Sequence, residues 1–388
     1  MIQREAQERL DKLYKLFKVV AVMGPRQSGK TTLVKSSFPN KPYASLETPE
    51  VRQFALEDPR GFLLQFPDGA ILDEVQRTPL LFSYIQEIVD SKNSTGQFIL
   101  TGSNNFLLNQ NISQSLAGRV AFLNLLPFSY SELNSSNDYS KLPSDENYYI
   151  LNGFYPPIYD MGIPSNEWLP NYIRTYIERD VRQIKNITNL LVFERFIRLL
   201  AGRTGQELNY SSLSVEVGVD VKTIQSWIGI LESSYIIYLL KPYHKNYNKV
   251  LVKRPKLYFY DTGLACSLLG ITQLFHLENH PLRGALFETL IMTEILKMKE
   301  HRGADSQLFY WRDKTGREID LLIEKANEVC PLEIKAGKTF QTDFLKSIRY
   351  WMKLTDHKNA RIIYAGNQSQ TRSDGVIVSP WQKIKDIL

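Results

Sequence analysis

The chain has 388 residues, 43% hydrophobic and 23% charged, with a net charge of +6. That length exceeds one ordinary core and implies two or three domains, and the residue balance excludes disorder, collagen and coiled coil. The charge is uneven: residues 1–240 hold 23 Lys and Arg against 25 Asp and Glu, and residues 241–388 hold 24 against 16, which points either to an anionic partner for the C-terminal part or to a basic surface kept for solubility.

In chain order, residues 2–17 predict an amphipathic helix, with Leu10, Leu13, Tyr14 and Phe17 at helical spacing. Phe17–Met23 reads as a buried strand, followed by Gly and Pro and then a helix over Thr31–Ser37. Apolar runs at Ala70–Leu72 and Phe98–Leu100, with helical stretches between, predict a parallel α/β sheet. The polar stretch 134–146 reads as a loop. Residues 168–240 are helical in pattern and end in the apolar run Tyr235–Leu240. β-like runs return from Leu257 onward, with helices at Gly284–Lys299 and Phe340–Leu354 between them. Cys266 and Cys330 form neither a metal spacing nor a disulfide framework, which suits a reducing cytoplasm. The charged N-terminal stretch is not expected to be a signal peptide, and no apolar run reaches the roughly 18 residues of a membrane span.

The strongest motif is Gly24-Pro25-Arg26-Gln27-Ser28-Gly29-Lys30-Thr31, followed by Thr32. It fits the phosphate-binding loop G-x-x-x-x-G-K-[ST], between a strand and a helix. The glycines let successive N–H groups converge on phosphates, and the helix N-terminus adds positive character. Lys30 is expected at the β- and γ-phosphates of ATP or ADP, and the Thr31 hydroxyl on Mg²⁺. Ala70-Ile71-Leu72-Asp73-Glu74 supplies the acidic strand end: Asp73 would hold Mg²⁺ through water, and Glu74 would polarise the attacking water. A third strand ends in Thr101-Gly102-Ser103-Asn104, where Ser103 or Asn104 could orient water or sense hydrolysis.

GPRQSGKTTL, AILDEVQ, FILTGSNN and SLAGRV, in that order, resemble prokaryotic AAA+ ATPases that carry a C-terminal domain of unknown function. YIRTYIERDV, LAGRTGQELNYSSL, PKLYFYDTGL and GALFETLI extend the resemblance over nearly the whole chain. It implies an AAA+ core, a helical and winged-helix-like middle, a nuclease-like end, and assembly into homo-oligomers that complete their sites between subunits. Arg119 is the arginine expected to meet γ-phosphate charge, in cis or from a neighbouring subunit, because its planar fork donates to two oxygens. Arg179 and Arg182 are its rivals.

Residues 211–217, a turn at Gly218-Val219-Asp220 and residues 221–233 have the form of a helix-turn-helix, with Asp220 as N-cap. Lys222, Gln225, Ser226 and Gly229 are expected outward, and Ile224, Trp227, Ile228 and Leu231 inward. Lys241, Lys245, Lys249, Lys253, Arg254 and Lys256 follow, with no acidic residue between Glu232 and Asp261. A basic wing of this kind suits contacts to the nucleic-acid backbone.

Near the C-terminus, Glu333 and Lys335 lie two apart on a strand and so share a face, while Leu332 and Ile334 pack inward. A turn near Lys325–Asn327 would make a hairpin that brings Asp320 close to Glu333. Two carboxylates for Mg²⁺ and an ammonium to orient water suit phosphodiester hydrolysis. The arrangement D-x(12)-E-x-K with an upstream helical Glu resembles the PD-(D/E)XK nuclease superfamily, which gives Glu288, Asp320, Glu333 and Lys335 that family's positions.

The expected fold is therefore α/β: a P-loop AAA+ parallel-sheet domain (1–130), a helical lid and winged-helix-like region (131–250), and a C-terminal α/β restriction-endonuclease-like domain (251–388). The expected function is an Mg²⁺-dependent ATPase that drives or gates action on nucleic acid, DNA ahead of RNA. Two alternatives stay open: a nucleotide-switched DNA-binding regulator that does not cut, and an assembly ATPase whose C-terminal domain binds protein.

Overall fold

The computed structural model describes residues 2–103, 115–136, 142–177, 189–243, 254–326 and 328–387. They fall into two compact units: Met1–Asp138 with Ser233–Tyr235 and Glu300–Gly303, and the remainder.

The first unit is built on a parallel sheet in the order β2-β3-β4-β1-β5. Its strands are β1 (Val19–Met23), β2 (Tyr43–Ser45), β3 (Ile71–Asp73), β4 (Phe98–Gly102) and β5 (Val120–Asn124). β1 is buried at every position, as a central parallel strand covered on both faces must be. Its side chains alternate between two cores. Val19, Ala21 and Met23 join Phe62, Phe82, Ile85 and Val89; Val20 and Val22 join Leu10, Leu13, Leu33 and Val34. The helices Ala6–Leu16 and Lys30–Ser37 thus cover one face, and Leu81–Ser91 the other. Sequence pattern did not reveal β2 or β5. β2 has three residues, and β5 is an edge strand with alternating burial, so neither makes a long apolar run.

The second unit opens with helices, among them Leu190–Ala201, and contains one sheet in the order β13-β14-β12-β11-β10-β9-β7-β8-β6. β6 (Gln206–Glu207), helices Tyr210–Val217 and Val221–Ser233, β7 (Ile237–Pro242) and β8 (Lys256–Phe259) follow one another. The amphipathic reading of 221–233 agrees with the structure: Ile224, Trp227, Ile228 and Leu231 are buried, and Lys222, Gln225 and Gly229 are exposed. Asp220 caps the helix by accepting from the Thr223 N–H at 3.0 Å. Trp227 lies against Phe193 and Phe196, with ring centroids 5.1 and 5.2 Å away.

The helix Arg283–Arg302 leads into β9 (Gln307–Arg312), β10 (Glu318–Lys325) and β11 (Glu328–Lys335), an antiparallel meander. Helix Lys346–Thr355 then crosses to β12 (Ala360–Tyr364), parallel to β11, and β13 (Gln370–Thr371) and β14 (Val376–Pro380) complete the sheet. Ile348 and Trp351 of that helix are buried with Trp311, Leu322, Ile362 and Val378. The pairing of β7 with β9, Lys241 opposite Phe309, joins the expected middle and C-terminal domains into one sheet. The boundary expected at 250 therefore falls inside a single unit, because ladder pairing is set by distant residues rather than by local composition.

Candidate functional site

The parallel strands of the first unit deliver the C-terminal ends of β1, β3 and β4 to one edge of the sheet, where α/β proteins bind ligands. β4 lies between the strand that precedes the phosphate loop and the strand that ends in Asp73. The loop turns at Gly24 (φ +147) and Gly29 (φ +92). A Cβ on Gly24 would stand 2.1 Å from the Leu125 carbonyl oxygen, so only glycine fits there. The buried Ser28 Oγ has no hydrogen-bond partner among the described residues, as befits a polar atom kept for a ligand oxygen.

Lys30 is 6% exposed, and its Nζ donates to Gly24 O (3.0 Å) and Pro25 O (2.7 Å). Burial lowers its pKa to about 8, with Glu74 and Asp73 opposing that shift. Thr31 Oγ1 donates to Asp73 Oδ2 at 3.0 Å. Tyr43 donates to the same oxygen at 2.7 Å, and Thr101 donates to Asp73 Oδ1. Burial and Asp73 push Tyr43 up to about 12. Glu74 sits in the left-handed region at φ 56 and ψ 42, a conformation costly for a side chain other than glycine and held by the strand end. Its carboxylate accepts from Gln76 Nε2 and from Ser103 Oγ at 3.3 Å. Thr32, the next residue on the helix, is exposed. Asn104, expected beside Ser103, lies outside the described residues.

Four partners were not anticipated: Gln76, Tyr43, Thr101 and Arg4. Tyr43 and Thr101 come from strands that flank β3. Arg4 donates to Ser28 O at 2.7 Å, to Leu126 O at 2.6 Å and to Glu132 at 3.0 Å, so the phosphate loop is tethered by a residue 20 positions upstream of Gly24.

Of the two placements expected for Arg119, the structure bears on the one within this chain. Arg119 immediately precedes β5, whose first residue Val120 is level with Val19, at the sheet edge opposite the phosphate loop. Five residues of strand separate the two edges, about 15 Å. Its guanidinium is engaged bidentately by Asp90 at 2.5 and 2.8 Å. Within this chain Arg119 does not reach the loop, so only the role from a neighbouring subunit remains for it. Arg179 and Arg182 lie outside the described residues.

A second group of polar residues lies wholly in the second unit. Lys325 pairs with Glu328 in the β10–β11 hairpin, with Ala326 at φ 53, as the spacing predicted. Asp320 sits at an irregularity of β10, between Ile319 opposite Trp311 and Leu322 opposite Phe309. Such bulges redirect a side chain. The Asp320 carboxylate accepts from the Ile334 N–H at 2.7 Å and lies 3.8 Å from Lys335 Nζ. Lys335 also pairs with Glu333. Glu333 is 1% exposed, and its Oε1 has no hydrogen-bond partner among the described residues. Burial and the neighbouring Asp320 hold it well above the usual carboxylate range, against the pull of Lys335. On the face shared by Glu333 and Lys335, Glu333 is buried while Lys335 stays half-buried at the end of β11.

Glu288 lies on helix Arg283–Arg302, with 18% of its side chain exposed. Its Oε1 accepts from Lys256 Nζ at 3.2 Å and Tyr258 OH at 2.5 Å. Burial raises it to about 7, against the pull of Lys256. Lys256 was expected on an exposed basic wing, yet its side chain is 4% exposed and it pairs with both Glu288 and Glu318. Strand pairing explains the difference: β8 is held between β7 and β6. Of the remaining basic run, Lys241 and Arg254 are exposed, and Lys245, Lys249 and Lys253 lie outside the described residues. No group of three or more His, Cys, Asp or Glu among the described residues has the arrangement of a metal site.

Residues 16–134 match a family described as an AAA domain, residues 144–274 a domain of unknown function (DUF8612), and residues 283–384 another (DUF4143). An uncharacterized protein of Mycobacterium tuberculosis and one of Mycobacterium bovis are each 30% identical to the chain over 389 aligned positions, covering 98% of this chain and 84% of theirs. The chain belongs to their family. Its first unit is an AAA-type ATPase domain. A Walker-type ATPase of Pyrococcus abyssi is similar in structure with a TM-score of 0.47 and 15% identity, covering 68% of this chain and 94% of that one. Among the described residues, no helix is long and apolar enough to cross a membrane.

Proposed function

We propose that this family member is an Mg²⁺-dependent AAA+ ATPase whose nucleotide cycle drives or gates action on nucleic acid, DNA ahead of RNA. The observation that carries the ATPase half is the meeting of Lys30, Thr31, Asp73 and Glu74 at one sheet edge, with Thr31 and Asp73 in direct contact. Their hydroxyl and carboxylate oxygens are the hard donors that Mg²⁺ takes, and the unpartnered Ser28 Oγ supplies a further polar group to the loop. Bound Mg²⁺ would neutralise charge on the β- and γ-phosphates. Lys30 leaves the carbonyls of Gly24 and Pro25 for phosphate oxygens. Glu74, aimed by its left-handed backbone and by Ser103, accepts a proton from the attacking water. Asp73 keeps its orientation through Tyr43 and Thr101.

The nucleic-acid half rests on the second unit. The succession of helix Leu190–Ala201, β6, two helices, β7 and β8 supports a winged-helix reading, with Lys222, Gln225 and Lys241 exposed. The order helix, three antiparallel strands, helix, then a strand parallel to the third supports the nuclease-like reading. Asp320 and Glu333 are the oxygen donors that would hold a divalent cation there, and the buried Glu333 Oε1, without a hydrogen-bond partner among the described residues, fits that role. Lys335, beside both, would orient a water toward a phosphodiester. Incubating plasmid with the protein and Mg²⁺ or Mn²⁺ tests cleavage. Cutting that is lost in Asp320→Ala and Glu333→Ala supports the assignment, and cutting that survives both substitutions removes it. Homo-oligomers belong to the same proposal, since Arg119 can serve a phosphate only from another subunit.

A further inference from the structure

Four carboxylates of the second unit, Asp320, Glu333, Glu288 and Glu318, divide into two pairs, each faced by one lysine. Lys335 stands between Asp320 and Glu333. Lys256 stands between Glu288 and Glu318, and Arg312 adds a second cation 3.5 Å from Glu318. Lys256 and Tyr258, two apart on β8, project to one side and both donate to Glu288 Oε1. The pairs are not equivalent. Lys335 has 30% of its side chain exposed and can move aside, whereas Lys256 is almost wholly enclosed. Withdrawing Lys256 from Glu288 would strand a buried charge, a costly change. Glu333, in contrast, keeps a buried oxygen with no partner among the described residues.

We infer that Lys256 occupies the position beside Glu288 that a metal ion would otherwise take, so that a divalent cation is held by Asp320 and Glu333 alone. Glu288 is then a positioning residue for Lys256, not a metal ligand, and Lys256 is a fixed, enclosed positive charge beside the cation site. This rests on the proposed reading of Asp320 and Glu333 as cation ligands, and departs from the role that the nuclease resemblance gives Glu288.

Mn²⁺ affinity, measured by electron paramagnetic resonance on the nucleotide-free full chain, tests it. Asp320→Asn and Glu333→Gln should each weaken binding by about a hundredfold, and Glu288→Gln by less than about threefold. Lys256→Met should tighten binding by about tenfold, since it removes a neighbouring cation and frees Glu288 as a third ligand, and Glu288→Gln in the same chain should cancel the gain. Lys256→Arg, which keeps the charge, should retain wild-type affinity and controls for folding. A Glu288→Gln loss as large as that of Glu333→Gln, or no gain in Lys256→Met while Lys256→Arg folds and binds normally, overturns the inference and leaves the cation reading standing. Mn²⁺ binding indifferent to Asp320→Asn and Glu333→Gln, or absent from the wild type and Lys256→Met alike, overturns both.

Discussion

Raising the pH should weaken nucleotide binding well before it harms the fold. In the nucleotide-free chain the Lys30 ammonium is enclosed by neutral carbonyls at 2.7 and 3.0 Å, and burial brings it down to about 8. A bound triphosphate places negative charge against it and restores the proton. Above pH 8 binding must therefore take up a proton. At pH 9 about a tenth of the free protein carries a charged Lys30, so affinity should be about tenfold lower than at pH 7, or about 1.4 kcal/mol. Stability moves the other way. The unfolded lysine, near 10.5, binds more protons than the folded one between pH 8 and 10.5. This group's penalty is thus full below pH 8 and fades as the pH rises through that window. Weak binding at pH 9 is accordingly not a sign of unfolding. A fluorescent ATP analogue titrated in Mg²⁺ at pH 7, 8 and 9 measures the effect. Lys30→Arg, charged throughout, should give a flat profile whatever its absolute affinity. A wild-type affinity that stays flat to pH 9, or an equal fall in Lys30→Arg, refutes the reasoning.

Other outcomes follow from the same geometry. Glu74→Gln should bind ATP within a few-fold of the wild type yet release phosphate at least about a hundredfold more slowly; unchanged turnover removes Glu74 as the base. Arg119→Ala subunits mixed with Glu74→Gln subunits should recover turnover that neither has alone, because one supplies the glutamate and the other the arginine; a mixture with no recovery rules out action between subunits. Asp261 is 1% exposed and accepts from the N–H groups of Phe154 (2.7 Å) and Leu264 (3.1 Å). Asp261→Ala leaves both donors buried and should destabilise the second unit by about 2–4 kcal/mol in urea unfolding; a loss below about 1 kcal/mol contradicts that accounting.

The nucleotide site was legible in the sequence where its parts are consecutive. The phosphate loop needs its glycines and lysine at fixed spacing, and Asp73 and Glu74 end an apolar run. Arg4, Tyr43 and Thr101 were not legible, because long-range packing rather than chain proximity brings them to Ser28 and Asp73: strand order for Tyr43 and Thr101, the placement of the segment before the first helix for Arg4. That Arg119 cannot reach the loop within its own chain was missed for a related reason. Reading β5 as a strand would have set Arg119 at its N-terminal end, on the far edge from Gly24. In the second unit, hairpin spacing did predict the proximity of Asp320 and Glu333. Lys256 misled, because a lysine in a basic run looks solvated until the pairing of β8 with β7 and β6 encloses it against Glu288. The same long-range pairing, between β7 and β9, puts the boundary expected at 250 inside one unit.

ATP turnover by the full chain in Mg²⁺, at low salt, with and without double-stranded DNA, decides whether the nucleotide cycle is coupled to nucleic acid. Phosphate release that Lys30→Ala abolishes and that DNA changes several-fold, with the response fading as salt rises, is the expected result. Turnover no greater than that of Lys30→Ala, or a rate indifferent to DNA even at low salt, would contradict it.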